Sequence, residues 1–180
     1  MRCLCGNMPD VHDPATRSRN MAAIRGTDTK PELLIRSALH RRGYRFTVNR
    51  KDLTGKPDVV LSRFHAIIFV HGCFWHGHEC QLFRLPGTRT DFWSAKIDAN
   101  QKRDQTVRSD LLSDGWRIAT VWECALKGNA RLDLQELLTR LTFWLEGDET
   151  LLEIRGQGAR EVVHSSMHSP KATEPDPSDR

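Results

Sequence analysis

The apolar positions of the 180-residue chain form stripes and short runs that predict alternating helices and strands. Thr29, Pro31 and Glu32 mark a helix start, since they supply an N-cap, a proline in the first turn and a capping-box glutamate. The apolar stripe that follows predicts a helix ending near Gly43. A leucine stripe behind the capping box at Asp133 predicts a second amphipathic helix.

Runs rich in β-branched and aromatic residues predict the strands of a sheet. The four runs are 44–48, 58–61, 66–70 and 116–122. The second and third are close enough for a β-hairpin. Pairing Ser62 with Ala66 places Asp58 opposite Val70, within one or two residues of register. The sequence therefore predicts that Asp58 lies beside the end of the third strand.

A long helix is predicted over residues 92–112, between the third and fourth strands. Two positions on its inward face are polar, Asn100 and Asp104. A buried carboxylate is costly without a partner, so we expect Asp104 to contact a cation, a metal or a strong donor. The strands on either side of this helix form a βαβ unit, and their carboxyl ends therefore share one edge of the sheet.

The composition fits one soluble globular domain, with 38% hydrophobic and 28% charged residues. The net charge of +4 permits a polyanionic partner without requiring one. We expect a cytoplasmic protein, because no apolar run could span a membrane and the N-terminus lacks the apolar core of a signal peptide. Five cysteines, an odd number, favour metal ligands and free thiols over disulfides.

The chain divides into three parts. Residues 1–29 predict an N-terminal extension and arm, in which Arg17 and Arg19 either follow phosphates or lie in a solvated segment. Residues 30–150 hold the predicted helices and strands. Residues 151–180 predict a disordered C-terminal tail, since the part after His164 is rich in serine, proline and charge and has no aromatic residue.

The densest chemistry follows the third strand, where residues 70–80 include three histidines and two cysteines. Cys73, His78 and Cys80 lie in this segment, and the βαβ geometry brings Cys124 to the same edge. Three cysteines and one histidine would close a tetrahedral zinc site. The alternative is that the cysteines are small buried hydrophobic residues. Because four protein ligands leave no open position, we predict a structural zinc.

A second cluster at this edge contains Asp58, His71 and His76. Oxygen ligands suit Mg²⁺, and imidazoles can accept a proton or stabilise a transition state. The alternative for Asp58 is an ordinary turn residue after Pro57. The alternative for each histidine is a polar residue that is satisfied near the zinc ligands.

Two adjacent aromatic residues, Phe74 and Trp75, lie between the predicted metal ligands. Such residues are more often core, but a loop would leave them near the surface, where they can stack on or intercalate between bases. Trp93, near Arg89, could join them.

Together these residues resemble the very-short-patch mismatch repair DNA endonucleases (Vsr-type). The resemblance runs from about residue 11 to 146 and is carried by segments 13–21, 70–80, 88–93 and 121–126, which read DPATRSRNM, VHGCFWHGHEC, TRTDFW and VWECAL. It implies a restriction-endonuclease-like α/β fold, a mixed sheet flanked by helices, with residues 30–150 as the nuclease domain. It also implies nicking of DNA 5′ to the T of a T:G mismatch, which arises when 5-methylcytosine deaminates.

The resemblance assigns roles by position. It implies that Asp58 and the main-chain carbonyl of Val70 bind Mg²⁺. His76 matches the residue that activates water and His71 a neighbouring catalytic histidine, and which of the two accepts the proton stays open. Glu32 matches a residue that holds metal-bound water, although its capping role is an equally good account.

The remaining assignments concern support, zinc and DNA. Asp104 matches an acidic residue that supports His71. The implied zinc ligands are Cys73, His78, Cys80 and Cys124. The implied DNA contacts are Phe74, Trp75 and Trp93 from the major groove, Met21 from the minor groove, and Arg17 and Arg19 in the arm. The expected partners are double-stranded DNA with a T:G mismatch and other mismatch-repair proteins, and we expect a monomer that needs Mg²⁺ for catalysis and Zn²⁺ for structure.

The sequence departs from the family pattern in a few places. Residues 1–10, with Cys3 and Cys5, and the tail after Gly158 have no counterpart, and Gly77 and Glu79 stand where histidine is frequent. Two alternatives remain. A non-catalytic, zinc-stabilised DNA-binding module would explain the zinc, arginines and aromatics. A zinc-dependent hydrolase or deaminase would need an open zinc position and a nearby glutamate.

Overall fold

The computed structural model describes residues 16, 19 and 26–158. The helices are α1 (Lys30–Arg41), α2 (Thr90–Ser113), α3 (Glu123–Leu126) and α4 (Leu134–Glu146), with a 3-10 turn at Ser62–Phe64. The strands are β1 (Val59–Leu61), β2 (Ala66–His71), β3 (Arg117–Trp122) and β4 (Leu151–Ile154). They form one mixed sheet in the order β1-β2-β3-β4, which confirms the predicted α/β class. Within the described part of the chain, no helix is long and apolar enough to cross a membrane.

The hairpin and the βαβ unit both form. Strand β1 runs antiparallel to β2, while β3 runs parallel to β2 and to β4. Leu61, rather than Ser62, pairs with Ala66, so the register differs from the prediction by one residue. Asp58 still reaches the end of β2, because its Oδ2 accepts a hydrogen bond from the Val70 N–H at 2.7 Å.

Helices cover both faces of the sheet, and alternate strand residues point to opposite layers. The layer against α1 and α4 contains Ile35, Leu39, Leu61, Ile68, Val121, Leu137 and Leu141. The layer that includes Leu111 of α2 contains Val60, Ile67, Trp116 and Ile118. Each of these side chains contributes about 1.5–3 kcal/mol by leaving water. The double layer holds the carboxyl ends of β2 and β3 in fixed positions.

Two predictions at the margins of the sheet were wrong. Residues 151–154, assigned to the tail, form β4, whose Ile154 is buried and pairs with Val121. The four residues of β4 do not alternate between apolar and polar positions, so no strand was predicted there. The strand becomes apparent only from its pairing with β3. Residues 159–180 lie outside the described part. The run 44–48 forms only a bridge between Thr47 and Val60, and Asn49, at φ +51°, ends the pairing.

Candidate functional site

The site lies where β2 and β3 end side by side. His71 is level with Trp122 in the parallel register, so the chain leaves both strands at the same edge. After β2 it enters a segment of tight turns, residues 72–80, which we call the 72–80 loop. After β3 it enters α3, whose second residue is Cys124. The sheet therefore sets the distance between residues that are about fifty positions apart in sequence.

The thiols and the imidazole predicted to bind zinc do come together. The ligand atoms of Cys73, His78, Cys80 and Cys124 all lie within 4.8 Å of one another. Cys80 is half-buried, and the other three residues are buried. This confirms that the parallel pairing delivers Cys124 to the cluster.

The surroundings of the sulfurs fit a bound metal ion. Cys124 N–H donates to Cys73 Sγ at 3.3 Å, Leu82 N–H to Cys80 Sγ at 3.4 Å and Gly156 N–H to Cys124 Sγ at 3.3 Å. Backbone donors of this kind favour thiolates, and outer contacts to the ligands tune a metal site. A hydrogen bond from Cys73 also lowers the pKa of Cys124 to about 4.

The histidine of this cluster is packed but not fully hydrogen-bonded. Its ring stacks on Trp122 with centroids 4.1 Å apart, and Nδ1 lies 3.6 Å from Cys124 Sγ. His78 Nε2 is buried without a hydrogen-bond partner among the residues that the structure describes. Leaving a buried polar atom unpaired is costly, whereas a ring nitrogen that binds a metal is satisfied. The donor set is therefore one that could hold a metal ion.

Asp58 lies at the start of β1 in a partly enclosed position. Burial raises the pKa of Asp58 to about 6, although the hydrogen bond from Val70 N–H opposes the shift, and the nearby Glu32 carboxylate raises it further. Both carboxylates would be stabilised by a cation between or beside them. The residues present therefore fit a hard divalent ion with oxygen ligands.

A buried arginine, which the sequence analysis did not identify, organises these carboxylates. Arg36 of α1 donates to Glu32 Oε2 at 3.1 Å, to the Asp58 carbonyl at 3.2 Å and to Asp28 Oδ1 at 2.5 Å. Its position four residues after Glu32 on one helix was the available signal. Glu32 also accepts from Thr29 Oγ1 at 2.7 Å, so its predicted role in the start of the helix is confirmed.

The two histidines form a parallel stack. The rings of His71 and His76 have centroids 3.9 Å apart and an interplanar angle of 2°. Asp104 Oδ2 is 2.5 Å from Nδ1 of His76. The expectation that Asp104 supports His71 is therefore corrected, since its hydrogen bond is to the other ring. The sequence placed Asp104 on the inward face of α2 but could not distinguish two histidines five residues apart.

The ring of His71 lies in a largely enclosed environment. Burial, followed by the neighbouring His76, lowers the pKa of His71 to about 3. Its ring also meets Trp122 edge to face at 5.4 Å. This low pKa disfavours a proton on His71, so the ring that stacks on His76 is neutral.

The predicted wedge residues pack into one aromatic cluster. Phe74 lies 5.1 Å from Trp75 and 5.5 Å from Trp93, and Trp75 lies 6.1 Å from Trp93. All three are half-buried, so they are less exposed than a free loop would leave them. The neighbouring Phe92 is 45% exposed, with the Arg89 guanidinium 4.4 Å over its ring. Phe92 and Arg89 lie in the TRTDFW segment that carries the family resemblance, but the sequence analysis assigned neither of them a DNA contact.

Most of the predicted DNA contacts of the N-terminal arm lie outside the residues that the structure describes. Arg17 and Met21 lie outside the described residues. Arg19 is exposed, and its guanidinium donates to Thr16 Oγ1 at 3.0 Å. The arm therefore stays a prediction.

The mixed sheet, with carboxylate, imidazole and thiol clusters along one edge, has the architecture of the restriction-endonuclease-like enzymes. The family model for the DNA mismatch endonuclease Vsr matches residues 9–82. The DNA mismatch endonuclease Vsr of Escherichia coli (strain K12) is 46% identical over 151 residues, which cover 84% of this chain and 97% of that enzyme. This chain belongs to the Vsr family and is a DNA endonuclease.

Two type II nicking enzymes are also similar to this chain. The type II nicking enzyme V.XorIIP of Xanthomonas oryzae pv. oryzae is 47% identical over 126 residues, covering 70% of this chain and 93% of the relative. The type II nicking enzyme V.NmeAIP of Neisseria meningitidis serogroup A is 42% identical over 123 residues, covering 68% and 88%.

Proposed function

We propose that this protein is a sequence-context-dependent nicking endonuclease that cuts DNA 5′ to the T of T:G mismatches left by deamination of 5-methylcytosine. It would thereby initiate very short patch repair by Mg²⁺-assisted phosphodiester hydrolysis. The observation that carries the proposal is the His76–Asp104 pair, whose imidazole lies close enough to Asp58 to act on its carboxylate and directly follows Trp75 of the aromatic cluster in the chain. The relatives named for mismatch cleavage and for nicking support it.

His76 is the residue that we propose as proton acceptor. Its Nδ1 lies 2.5 Å from Asp104, so a proton on Nδ1 is held by the carboxylate and Nε2 keeps a free lone pair. Asp104 also stabilises the imidazolium that forms when Nε2 takes a proton from the attacking water. The neutral His71 stacked on this ring adds no opposing charge. The geometry favours His76 over His71, because Asp104 orients only the former.

The carboxylate of Asp58 and the main-chain carbonyl of Val70 are the proposed Mg²⁺ ligands, with Glu32 holding metal-bound water. A bound Mg²⁺ would neutralise charge that develops on the scissile phosphate. Asp58 is fixed from two sides, because its Oδ2 accepts from Val70 N–H and its carbonyl accepts from Arg36. This anchoring keeps the carboxylate beside the end of β2 without any contribution from a flexible loop.

The aromatic cluster is the proposed mismatch reader. Phe74, Trp75 and Trp93 would wedge beside the mismatch from the major groove and Met21 from the minor groove. Unstacking costs less at a mismatched pair, so insertion favours T:G over a paired site. Arg17 and Arg19 would contact phosphates and fix the register without reading sequence.

The sulfur cluster is proposed to hold Zn²⁺ with a structural role. Three cysteines and one histidine are a tetrahedral zinc set, and an ion bound by all four has no open position for substrate. This argues against a zinc hydrolase or deaminase. A non-catalytic binding module would leave the His76–Asp104 pair and the raised pKa of Asp58 without a purpose. We further propose that the enzyme acts as a monomer, with other mismatch-repair proteins as partners.

A nicking assay tests the proposal. Purified, zinc-loaded protein is incubated with one labelled duplex carrying T:G and with otherwise identical duplexes carrying C:G or T:A, each with and without Mg²⁺. We expect a single-strand cut 5′ to the mismatched T, only with Mg²⁺. Tight binding to T:G without any cut would favour the binding module, and equal cutting of all three duplexes would overturn the mismatch specificity.

A further inference from the structure

Side chains of α2 hold three successive carbonyls of the 72–80 loop. Asn100 Nδ2 donates to the Trp75 carbonyl at 2.8 Å. Gln101 Nε2 donates to the His76 carbonyl at 3.2 Å and to the Gly77 carbonyl at 3.3 Å. Within the described residues, no backbone N–H donates to any of these three oxygens. The helix therefore holds the carbonyl side of this part of the loop, while the loop's own turn hydrogen bonds, such as His76 N–H to the Gly72 carbonyl at 3.3 Å, hold its N–H side.

The Gln101 amide fills a space that the loop keeps open for it. A Cβ at Gly77 would lie 2.5 Å from Gln101 Nε2 and 2.7 Å from Ile97 Cγ2. Gly77 also has φ +61°, which side chains disfavour. The absence of a side chain at 77 thus lets the Gln101 amide approach both carbonyls.

His76 is consequently held by α2 at two points. Gln101 binds its carbonyl, and Asp104, three residues later on the same helix, binds its imidazole. Residues three apart on a helix face the same way, so the two contacts act together. A backbone shift at His76 would move its ring away from Asp104 and from the stack on His71. Displacements of about 1 Å at a catalytic group can cost on the order of a hundredfold in rate.

We propose that Gln101 is a positioning residue for nicking, which fixes the main chain of His76 so that its imidazole stays on Asp104. This inference rests on the proposed function, in which His76 accepts the proton. It adds a residue that the sequence analysis left unassigned, because a glutamine beside the inward stripe of a helix reads as solvent-facing. Gln101 contacts no reacting atom and acts only through His76.

Three variants test whether Gln101 positions His76 through its hydrogen bonds or only fills space beside the loop. Gln101→Met keeps the length but removes both donated hydrogen bonds. Gln101→Glu keeps the shape but points a carboxylate oxygen at two carbonyl oxygens. Gln105→Met is the matched control, since Gln105 is exposed one turn further along α2.

Single-turnover nicking of the T:G duplex at saturating protein is the first measurement. We expect a rate about tenfold lower for Gln101→Met, because the loss of both donated hydrogen bonds loosens the loop. We expect a larger loss for Gln101→Glu and none for Gln105→Met. The dissociation constant for the mismatched duplex should stay within about twofold of the wild-type value in all three, as should the zinc content and the melting temperature.

The second measurement needs neither DNA nor Mg²⁺. In NMR of zinc-loaded protein labelled at histidine, the Nδ1 proton of His76 shared with Asp104 should give a protected, downfield signal, assigned by its loss in Asp104→Asn. We expect this signal to broaden or exchange faster in both Gln101 variants and to be unchanged in Gln105→Met. This readout reports the position of the ring without reference to catalysis.

The outcomes are distinct. Wild-type rates and an unchanged signal in Gln101→Glu would overturn the inference, even if Asp58→Ala and His76→Ala abolish nicking as the proposed function requires. Loss of zinc or a large drop in melting temperature in Gln101→Met would also overturn it, since the residue would then support the fold. If wild-type protein does not nick T:G duplexes, the proposed function fails, while the NMR signal still decides whether Gln101 holds His76.

Discussion

Two clusters share one edge of the sheet and differ in how well their polar groups are satisfied. In the sulfur cluster, three sulfurs each receive a backbone N–H, and the four ligand atoms converge within 4.8 Å. In the cluster that we propose as catalytic, burial raises the pKa of Asp58 to about 6, and the imidazoles of His71 and His76 stack face to face. The first arrangement would be complete with one metal ion, whereas the second would stay electrostatically unfavourable until the proposed Mg²⁺ binds there.

The difference indicates a division of labour along the 72–80 loop. Cys73, His78 and Cys80 converge with Cys124 of α3 near the two ends of the loop, while the residues between them include those that we propose to contact DNA. Groups with shifted pKa values cluster at functional sites because catalysis requires those shifts. The loss of stability that they cause is offset by other parts of the protein. Here the sulfur cluster and the two layers of the core supply that stability. The comparison predicts opposite effects of mutations in the two clusters.

The largest effect is expected at the sulfur cluster. Cys124→Ser should lose the zinc and lower the free energy of unfolding by roughly 5 kcal/mol or more, because binding of a structural metal contributes directly to folding. Elemental analysis should find one zinc per wild-type chain and none in the variant, and thermal unfolding should shift in parallel. Full stability of chelated, zinc-free wild-type protein would contradict the structural role.

Substitution of Asp58 should lower the nicking activity without lowering stability or DNA binding. Asp58→Ala should reduce nicking about a thousandfold or more, about 4 kcal/mol of barrier, while binding of the mismatched duplex stays largely intact. Its melting temperature should stay close to that of the wild type, because removal of the buried charge offsets the loss of the hydrogen bond from Val70 N–H. Asp52→Ala, at an exposed position earlier in the same loop, is the control. Near wild-type nicking by Asp58→Ala would make the site assignment wrong.

The His76–Asp104 pair should give a smaller loss. Asp104→Asn keeps the shape but no longer fixes the Nδ1 proton, so we expect nicking to slow on the order of a hundredfold. The measurement is the single-turnover rate, with duplex affinity and zinc content as controls. If His71→Ala is slower than both Asp104→Asn and His76→Ala, then His71 is the proton acceptor.

The smallest effect concerns the aromatic cluster. Trp75→Ala should weaken binding to the T:G duplex about tenfold and binding to the matched duplex distinctly less, since stacking contributes about 1–3 kcal/mol per base. Phe143→Ala is a useful comparison, because Phe143 is the most exposed of the large apolar residues in the described part of the chain. Equal losses on both duplexes would assign Trp75 to the core.

Sequence patterns predicted the parts of the fold that local periodicity specifies. Both predicted N-caps, Thr29 and Asp133, are confirmed, as are the long α2 and the parallel pairing of β2 with β3, which brings Cys124 to the cluster. These features follow from residue spacing within one element or from the handedness of one unit. Helix α3, with four residues, was too short to give such a signal.

The parts that the sequence did not predict depend on contacts between distant segments. Strand β4 forms because β3 offers it a partner, and the choice of Asp104 between two histidines depends on the turn of the 72–80 loop. Arg36 and Gln101 looked like surface residues of amphipathic helices, yet each contacts a loop that comes from elsewhere. Side-chain roles of this kind appear only once the backbone of both partners is known.

Strand β4 has a consequence for protein synthesis. It pairs with β3, and the Gly156 N–H that follows it donates to Cys124 Sγ from a position where a Cβ would lie 2.5 Å from the Cys124 carbonyl. A chain is made from its N-terminus, so Asp58, His76 and the aromatic wedge leave the ribosome well before this closing segment. We therefore expect an mRNA truncated before codon 151 to yield a polypeptide that contains every residue proposed for cutting but lacks β4 and the contact that completes the sulfur cluster, and that therefore does not nick the chromosome.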